Sequence, residues 1–308
     1  MKPNYVANPI YSWEVNVVDW LKKFKEELKQ TGKSQNTIIS YCTDIKEFLE
    51  WFSDTYAKEF DGRIFEQDAR EYRNYLLNIA KQKPSSINRK MAALKSFNMF
   101  LVKAGTGIET DIHGISLADI HDREVKTIDR NAFNRLKRTI YSNGNKRDIA
   151  IFEVLSNTGI RVSELINLTI DDVIFTKRNG SQTYSYIIVR QGKGEKYREV
   201  PLNSSVKKAL QEYISVRNSP CEKLFIGQRG PLRRESIDKI LKKYCRIAGI
   251  EEISAHVLRH TFCTRLMAEN VPIAVISKLA GHSNIQTTMD FYVRVSRADK
   301  AAAVEKLT

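Results

Sequence analysis

The chain has 308 residues, with 50 Lys and Arg against 36 Asp and Glu, and a formal charge of +14. With 42% hydrophobic and 28% charged residues it has the make-up of a folded globular protein, which excludes a disordered basic tail. No apolar run approaches the ~20 residues of a membrane span, and the first ten residues lack the apolar core of a secretory signal, so a soluble cytoplasmic protein is expected.

At roughly 100–200 residues per domain, the length predicts two domains. The charge divides unevenly between them. Residues 1–115 carry 17 basic and 15 acidic side chains, while residues 116–308 carry 33 and 21. A surplus of that size in one segment points to a polyanionic partner, with nucleic acid first.

In chain order, Trp13, Val17, Trp20, Leu21, Phe24 and Leu28 recur at helical spacing before Gly32. Ser34 or Thr37 can cap a second helix with the stripe Ile38, Tyr41, Cys42, Ile45, Phe48, Leu49 and Phe52. Tyr72, Tyr75, Leu76 and Ile79 predict a third. Pro84 opens a fourth, with Ile87, Met91, Leu94, Phe97 and Leu101 inward and Gly105 at its end. From Lys81 to Lys103 there are six basic residues and no acid, which marks Arg89, Lys90 and Lys95 as candidate DNA contacts opposite the apolar stripe. Residues 1–105 therefore read as a helical domain, and 106–128, which keep no period, as a linker.

From residue 129 the pattern is mixed. Helices are expected at 131–141, 147–158, 161–167, 204–217, 235–248, 256–269, 272–280, 284–292 and 297–307. The alternating runs 184–189 and 197–202 flank Gly192-Lys193-Gly194-Glu195, which predicts a β-hairpin. The four cysteines (Cys42, Cys221, Cys245, Cys263) are widely spaced, as reduced, packed thiols would be.

Three of the five histidines, His256, His260 and His282, fall within 27 residues of the basic half. Arg161 and Arg259 stand there at expected helix starts, and guanidinium forks match phosphate oxygens. A histidine beside them handles protons near neutral pH. Metal chemistry has no support, because clustered carboxylates and zinc-type His/Cys sets are missing and Arg259 lies between His256 and His260. There is also no phosphate-binding G-x4-G-K-[ST] loop. The route left for phosphodiester chemistry is a protein nucleophile, with no metal and no cofactor.

The segments Thr158-Gly159-Ile160-Arg161-Val162-Ser163-Glu164-Leu165, Gly192-Lys193-Gly194, His256-Val257-Leu258-Arg259-His260-Thr261 and Leu279-Ala280-Gly281-His282, with Tyr292 ten residues on, resemble the tyrosine recombinase (phage integrase) family in order and spacing. The resemblance covers the basic half, and the helical first half is similar to the family's core-binding domain. It implies a mainly α protein: a four-helix, SAM-like core-binding domain at 1–105 and an α+β catalytic domain at 129–296 with a small antiparallel sheet, together a C-shaped clamp on DNA. Arg161 and Arg259 would bind the scissile phosphate, Tyr292 would attack it, Lys193 would protonate the leaving 5′-oxygen, His256 would act as base and His282 would hydrogen-bond a phosphate oxygen. Glu164 and His260 would support them.

The same resemblance implies strand exchange through a 3′-phosphotyrosine and a Holliday junction, on double-stranded DNA with inverted-repeat core sites. A monomer in solution would assemble as a homotetramer on DNA, with residues 297–308 docking on a neighbouring protomer and a DNA-bending or directionality protein as a possible accessory. About a dozen residues precede the first helix, so a compact two-domain enzyme of the Xer or mobile-element type is expected, with the tail favouring an element integrase or resolvase. The competing readings are a type IB topoisomerase, a non-catalytic architectural DNA-binding protein and a metal nuclease.

Overall fold

The computed structural model describes residues 9–110, 112, 126–179, 182–190 and 197–282, with side chains from residue 19 onward except 176–183. The chain forms two compact units, residues 1–123 and 124–308.

The first unit is helical: α1 (Pro9–Gln30), α2 (Gln35–Tyr56), α3 (Glu66–Asn74) running into a π-helical turn (Tyr75–Ile79), and α4 (Pro84–Lys103). Ser34 caps α2 by accepting the Thr37 N–H at 3.2 Å. Pro84 starts α4, where its missing N–H costs nothing. Except for Ile79, which is 73% exposed, the described members of the expected stripes meet in one aromatic core, with Phe24, Phe48 and Phe97 fully buried. Phe24 and Phe97 pack edge-on at 5.1 Å, as do Phe48 and Tyr72 at 5.2 Å.

Two expectations are corrected here. Lys90 does not face outward; it is 4% exposed and its ammonium pairs with Glu47 of α2. Three residues after Ile87 and four before Leu94, it occupies a position on the buried face, where its stem packs and its charge needs a partner. The segment read as linker also begins inside this unit. Ile112 joins the aromatic core, the Asn98 amide donates to the Ile108 carbonyl at 3.4 Å, and the Thr110 hydroxyl donates to the Ile64 carbonyl at 2.7 Å.

The second unit comprises α5 (Arg130–Asn143), α6 (Lys146–Thr158), α7 (Val162–Asn167), a sheet of β1 (Val173–Asn179), β2 (Gln182–Arg190) and β3 (Tyr197–Pro201), α8 (Ser204–Ile214), the two-residue strands β4 (Ile226–Gly227) and β5 (Gly230–Pro231), α9 (Arg234–Ala248), α10 (Ala255–Ala268) and α11 (Ile273–Ala280). The expected hairpin is β2–β3, antiparallel with Tyr186 opposite Pro201 and Arg190 opposite Tyr197. β1 adds a third, unexpected strand to the other side of β2. α6 is buried along most of its length and packs against α5, α8 and α10. Its polar members are paired: the Tyr244 hydroxyl donates to Asp148 at 2.8 Å, and Glu153 accepts from Tyr141 at 2.9 Å and meets Lys137 at 3.0 Å. A fully buried helix tolerates such groups only when they are partnered.

Among the described residues, no helix is long and apolar enough to cross a membrane, and no cluster of three or more His, Cys, Asp or Glu could hold a metal. The described cysteines are free thiols, with Cys245 and Cys263 buried.

Candidate active site

Arg161 immediately precedes α7 in extended conformation, after Gly159 has closed α6 with a left-handed backbone of φ 64°. A Cβ on Gly159 would lie 2.3 Å from the Phe262 ring, so α10 approaches the turn as closely as it does only because residue 159 has no side chain. Glu164, three residues on, accepts the Arg161 N–H at 2.7 Å and thereby caps α7. Its other oxygen accepts from Arg161 Nη1 at 2.9 Å, and Arg161 Nη2 donates to the Gly281 carbonyl at 2.7 Å. The Arg161 side chain remains 41% exposed.

α10 delivers Arg259 and His256. Arg259 is 3% exposed, and its Nη1 donates to the Gly159 carbonyl at 2.7 Å. Burial, followed by the nearby Arg161 charge, pulls its pKa down to about 10, so it stays cationic at neutral pH. The rings of His256 and His260 meet edge-to-face at 4.0 Å. Burial and then the Arg259 charge lower the His256 pKa. His282 follows α11 and is pushed down to about 4, first by burial and then by Arg259, Arg161 and Arg198. His260 is likewise pushed down to about 4, by burial and then His256 and Arg259. At neutral pH this gives neutral imidazoles beside two cationic guanidiniums: proton acceptors and neutral donors set in a positive field.

Glu164 is the acid of the cluster. Burial alone would raise its pKa, but the Arg198 fork and the Arg161 contacts outweigh it and hold the carboxyl below its usual value. Arg198, on β3, is a residue that sequence reasoning passed over. It donates to both oxygens of Glu164, at 3.0 and 2.8 Å, and to the carbonyls of Leu279 and Ala280 at 3.2 and 3.1 Å. A cavity of about 620 Å³ opens beside Arg161 and Glu164 and is further lined by the cations Arg190 and Lys223.

The structure thus brings Arg161, Glu164, His256, Arg259, His260 and His282 into one site. Lys193, Tyr292 and the helices expected at 284–292 and 297–307 lie outside the described residues. In the first unit, Arg89 is 43% exposed but held by Asp44, and Lys95 is half-buried on α4.

Comparison with known proteins agrees with this geometry. Residues 126–299 match the phage integrase family, and residues 21–105 match its N-terminal SAM-like domain. The chain is 32% identical to the TnP I resolvase of Bacillus thuringiensis, over 88% of this chain and 94% of the resolvase. It is 31% identical to the tyrosine recombinase XerC of Bacillus subtilis, over 92% and 93%. Its fold is similar to a XerH site-specific recombinase bound to a palindromic difH substrate, at a TM-score of 0.73 and 18% identity, covering 94% of this chain and 96% of that one. The Tn1549 transposon integrase in complex with transposon right-end DNA gives a TM-score of 0.71 at 22% identity, over 94% and 99%.

Proposed function

Because the chain belongs to the phage integrase family of tyrosine recombinases, we propose that it cuts and rejoins DNA at specific sites through a covalent 3′-phosphotyrosine, with Tyr292 as nucleophile. The observation that carries this reading is the convergence of Arg161 and Arg259 from separate helices, accompanied by neutral histidines and a carboxylate already engaged by arginines. Such a site attracts an anion and offers it forked donors.

In this reading the Tyr292 oxygen attacks phosphorus and its proton passes to His256, whose depressed pKa keeps the ring free to accept it. The bond from phosphorus to the 5′-oxygen breaks, and Lys193 supplies the proton to that oxygen. Arg161 and Arg259 stabilise the charge gathering on the non-bridging oxygens, the electrostatic contribution that is commonly the largest in such sites. His282, neutral at working pH, donates an N–H to one of those oxygens. Glu164 and His260 orient the groups that touch phosphate. The phosphotyrosine preserves the energy of the broken bond, so a second strand's 5′-hydroxyl can displace it without ATP or metal. Successive exchanges pass through a Holliday junction in a DNA-bound tetramer, with residues 297–308 linking protomers. Lys95 of the first unit contacts the duplex. The biological role is integration or resolution for a mobile element, in the cytoplasm where its DNA lies.

A nicked duplex carrying a site selected from random DNA by the wild-type protein tests the chemistry. Wild type accumulates a protein–DNA adduct that survives denaturing gel electrophoresis, while Tyr292→Phe binds the duplex and forms none. An adduct with the Phe variant overturns the assignment of the nucleophile.

A further inference from the structure

Resting on the recombinase reading above, we propose that Arg198 is a positioning residue for the reaction: through Glu164 it fixes Arg161, and through the last carbonyls of α11 it fixes the backbone that carries His282.

The contacts form a closed ring. Each Glu164 oxygen accepts two hydrogen bonds, one from Arg161 and one from Arg198, all between 2.7 and 3.0 Å. Both arginines then reach the end of α11, where Arg198 takes the carbonyls of Leu279 and Ala280 and Arg161 takes that of Gly281. Three successive carbonyls at the end of the helix are therefore read by two guanidiniums, which the negative end of a helix dipole favours. α7, β3 and α11 are tied at one point, and none can shift without breaking a charge-assisted bond.

The division of exposure assigns the roles. The Arg198 side chain is 12% exposed and every nitrogen is engaged with protein, whereas Arg161, held by the same carboxylate, is 41% exposed. Arg161 is the member that can face a phosphate, and Arg198 is the one that holds it. Gly281 fits this arrangement: it has φ 72°, and a Cβ there would lie 2.5 Å from the Arg198 guanidinium carbon. The guanidinium packs against the glycine, and that closeness allows one fork to serve both the carboxylate and the helix end.

Single-turnover adduct formation on the nicked duplex described above tests the proposal. Wild type comes first, because failure to form an adduct there overturns the recombinase reading and not the role of Arg198. With saturating duplex, Arg198→Ala should slow adduct formation about 10²-fold, the cost of misplacing a catalytic group by about an ångström. Its duplex affinity, measured with Tyr292→Phe added to prevent cleavage, should stay within about 2-fold, since only the step after binding is affected. In a Glu164→Gln background the same substitution should add less than about 3-fold, because residues acting as one unit are non-additive. Arg198→Lys keeps the charge and loses the fork, so it should remain at least about 10-fold slow; it also carries the comparison if the alanine variant melts below the assay temperature. A rate within about 3-fold of wild type for either variant, a loss in affinity instead of rate, or full additivity with Glu164→Gln would overturn the proposal.

Discussion

The basic run of α4 and the arginine cluster of the second unit both gather positive charge, the first along the sequence and the second only through the fold. The fold treats them in opposite ways. On α4, Arg89 is met by Asp44, Lys90 by Glu47 and Lys103 by Glu27, all acids supplied by α1 and α2. In the second unit, Arg161 and Arg198 share Glu164, and Arg259 has only the Gly159 carbonyl, with no ion pair among the described residues. One region is largely neutralised by its own tertiary structure, and the other keeps a positive excess in a partly buried setting. A surplus of charge in the sequence marks a ligand site only where folding leaves it uncompensated.

Removing the uncompensated charge should have the largest effect. Arg259→Ala is expected to slow single-turnover adduct formation about 10²–10³-fold, in line with the loss of one preorganised transition-state donor. Arg259→Lys should not recover it, because a point charge lacks the fork. Recovery by lysine would mean that charge alone matters and would blur the distinction between the two regions. Gly159→Ala comes next: a left-handed backbone and a Cβ 2.3 Å from Phe262 should lower stability by about 1–3 kcal/mol, read as a fall in denaturant midpoint with unchanged slope.

On α4 the contrast is finer. Lys95→Ala should reduce the slope of log affinity against log salt by about 1, as expected when a single cation is withdrawn from a phosphate. Lys90→Met should leave that slope unchanged, since this ammonium is buried against Glu47. Equal effects from the two would mean that the α2 acids release the α4 cations on DNA. The smallest expected effect is on pH dependence. His260 and His282 take up protons near 4 in the folded chain and near their ordinary 6.5 when unfolded. Between those values the unfolded state binds more protons, so stability is full above 6.5 and falls as pH drops toward 4. Calorimetric scans should show the melting temperature declining across that window, and less steeply in His282→Gln.

Much of this was legible in the sequence, for reasons that differ by element. Apolar stripes on long helices stand out because burial repeats every turn, and the β2–β3 hairpin stands out because alternation flanks a glycine-rich turn. β1 did not, because its apolar run, Val173-Ile174-Phe175, is short and gives way to Lys177 and Arg178. Arg161, His256, Arg259 and His282 were legible as spaced motifs. Arg198 was not, since Tyr197-Arg198-Glu199 reads as an ordinary solvated strand and its partner Glu164 lies 34 residues away. Lys90 shows the converse error: its position on the apolar stripe announced burial, and its residue type argued otherwise.

The buried Arg259 guanidinium, which among the described residues makes no ion pair, also links anion binding to the stability of the second unit. A ligand that binds only the folded state stabilises it by mass action. Under the recombinase reading, a phosphate bound beside Arg259 therefore makes the second unit harder to unfold.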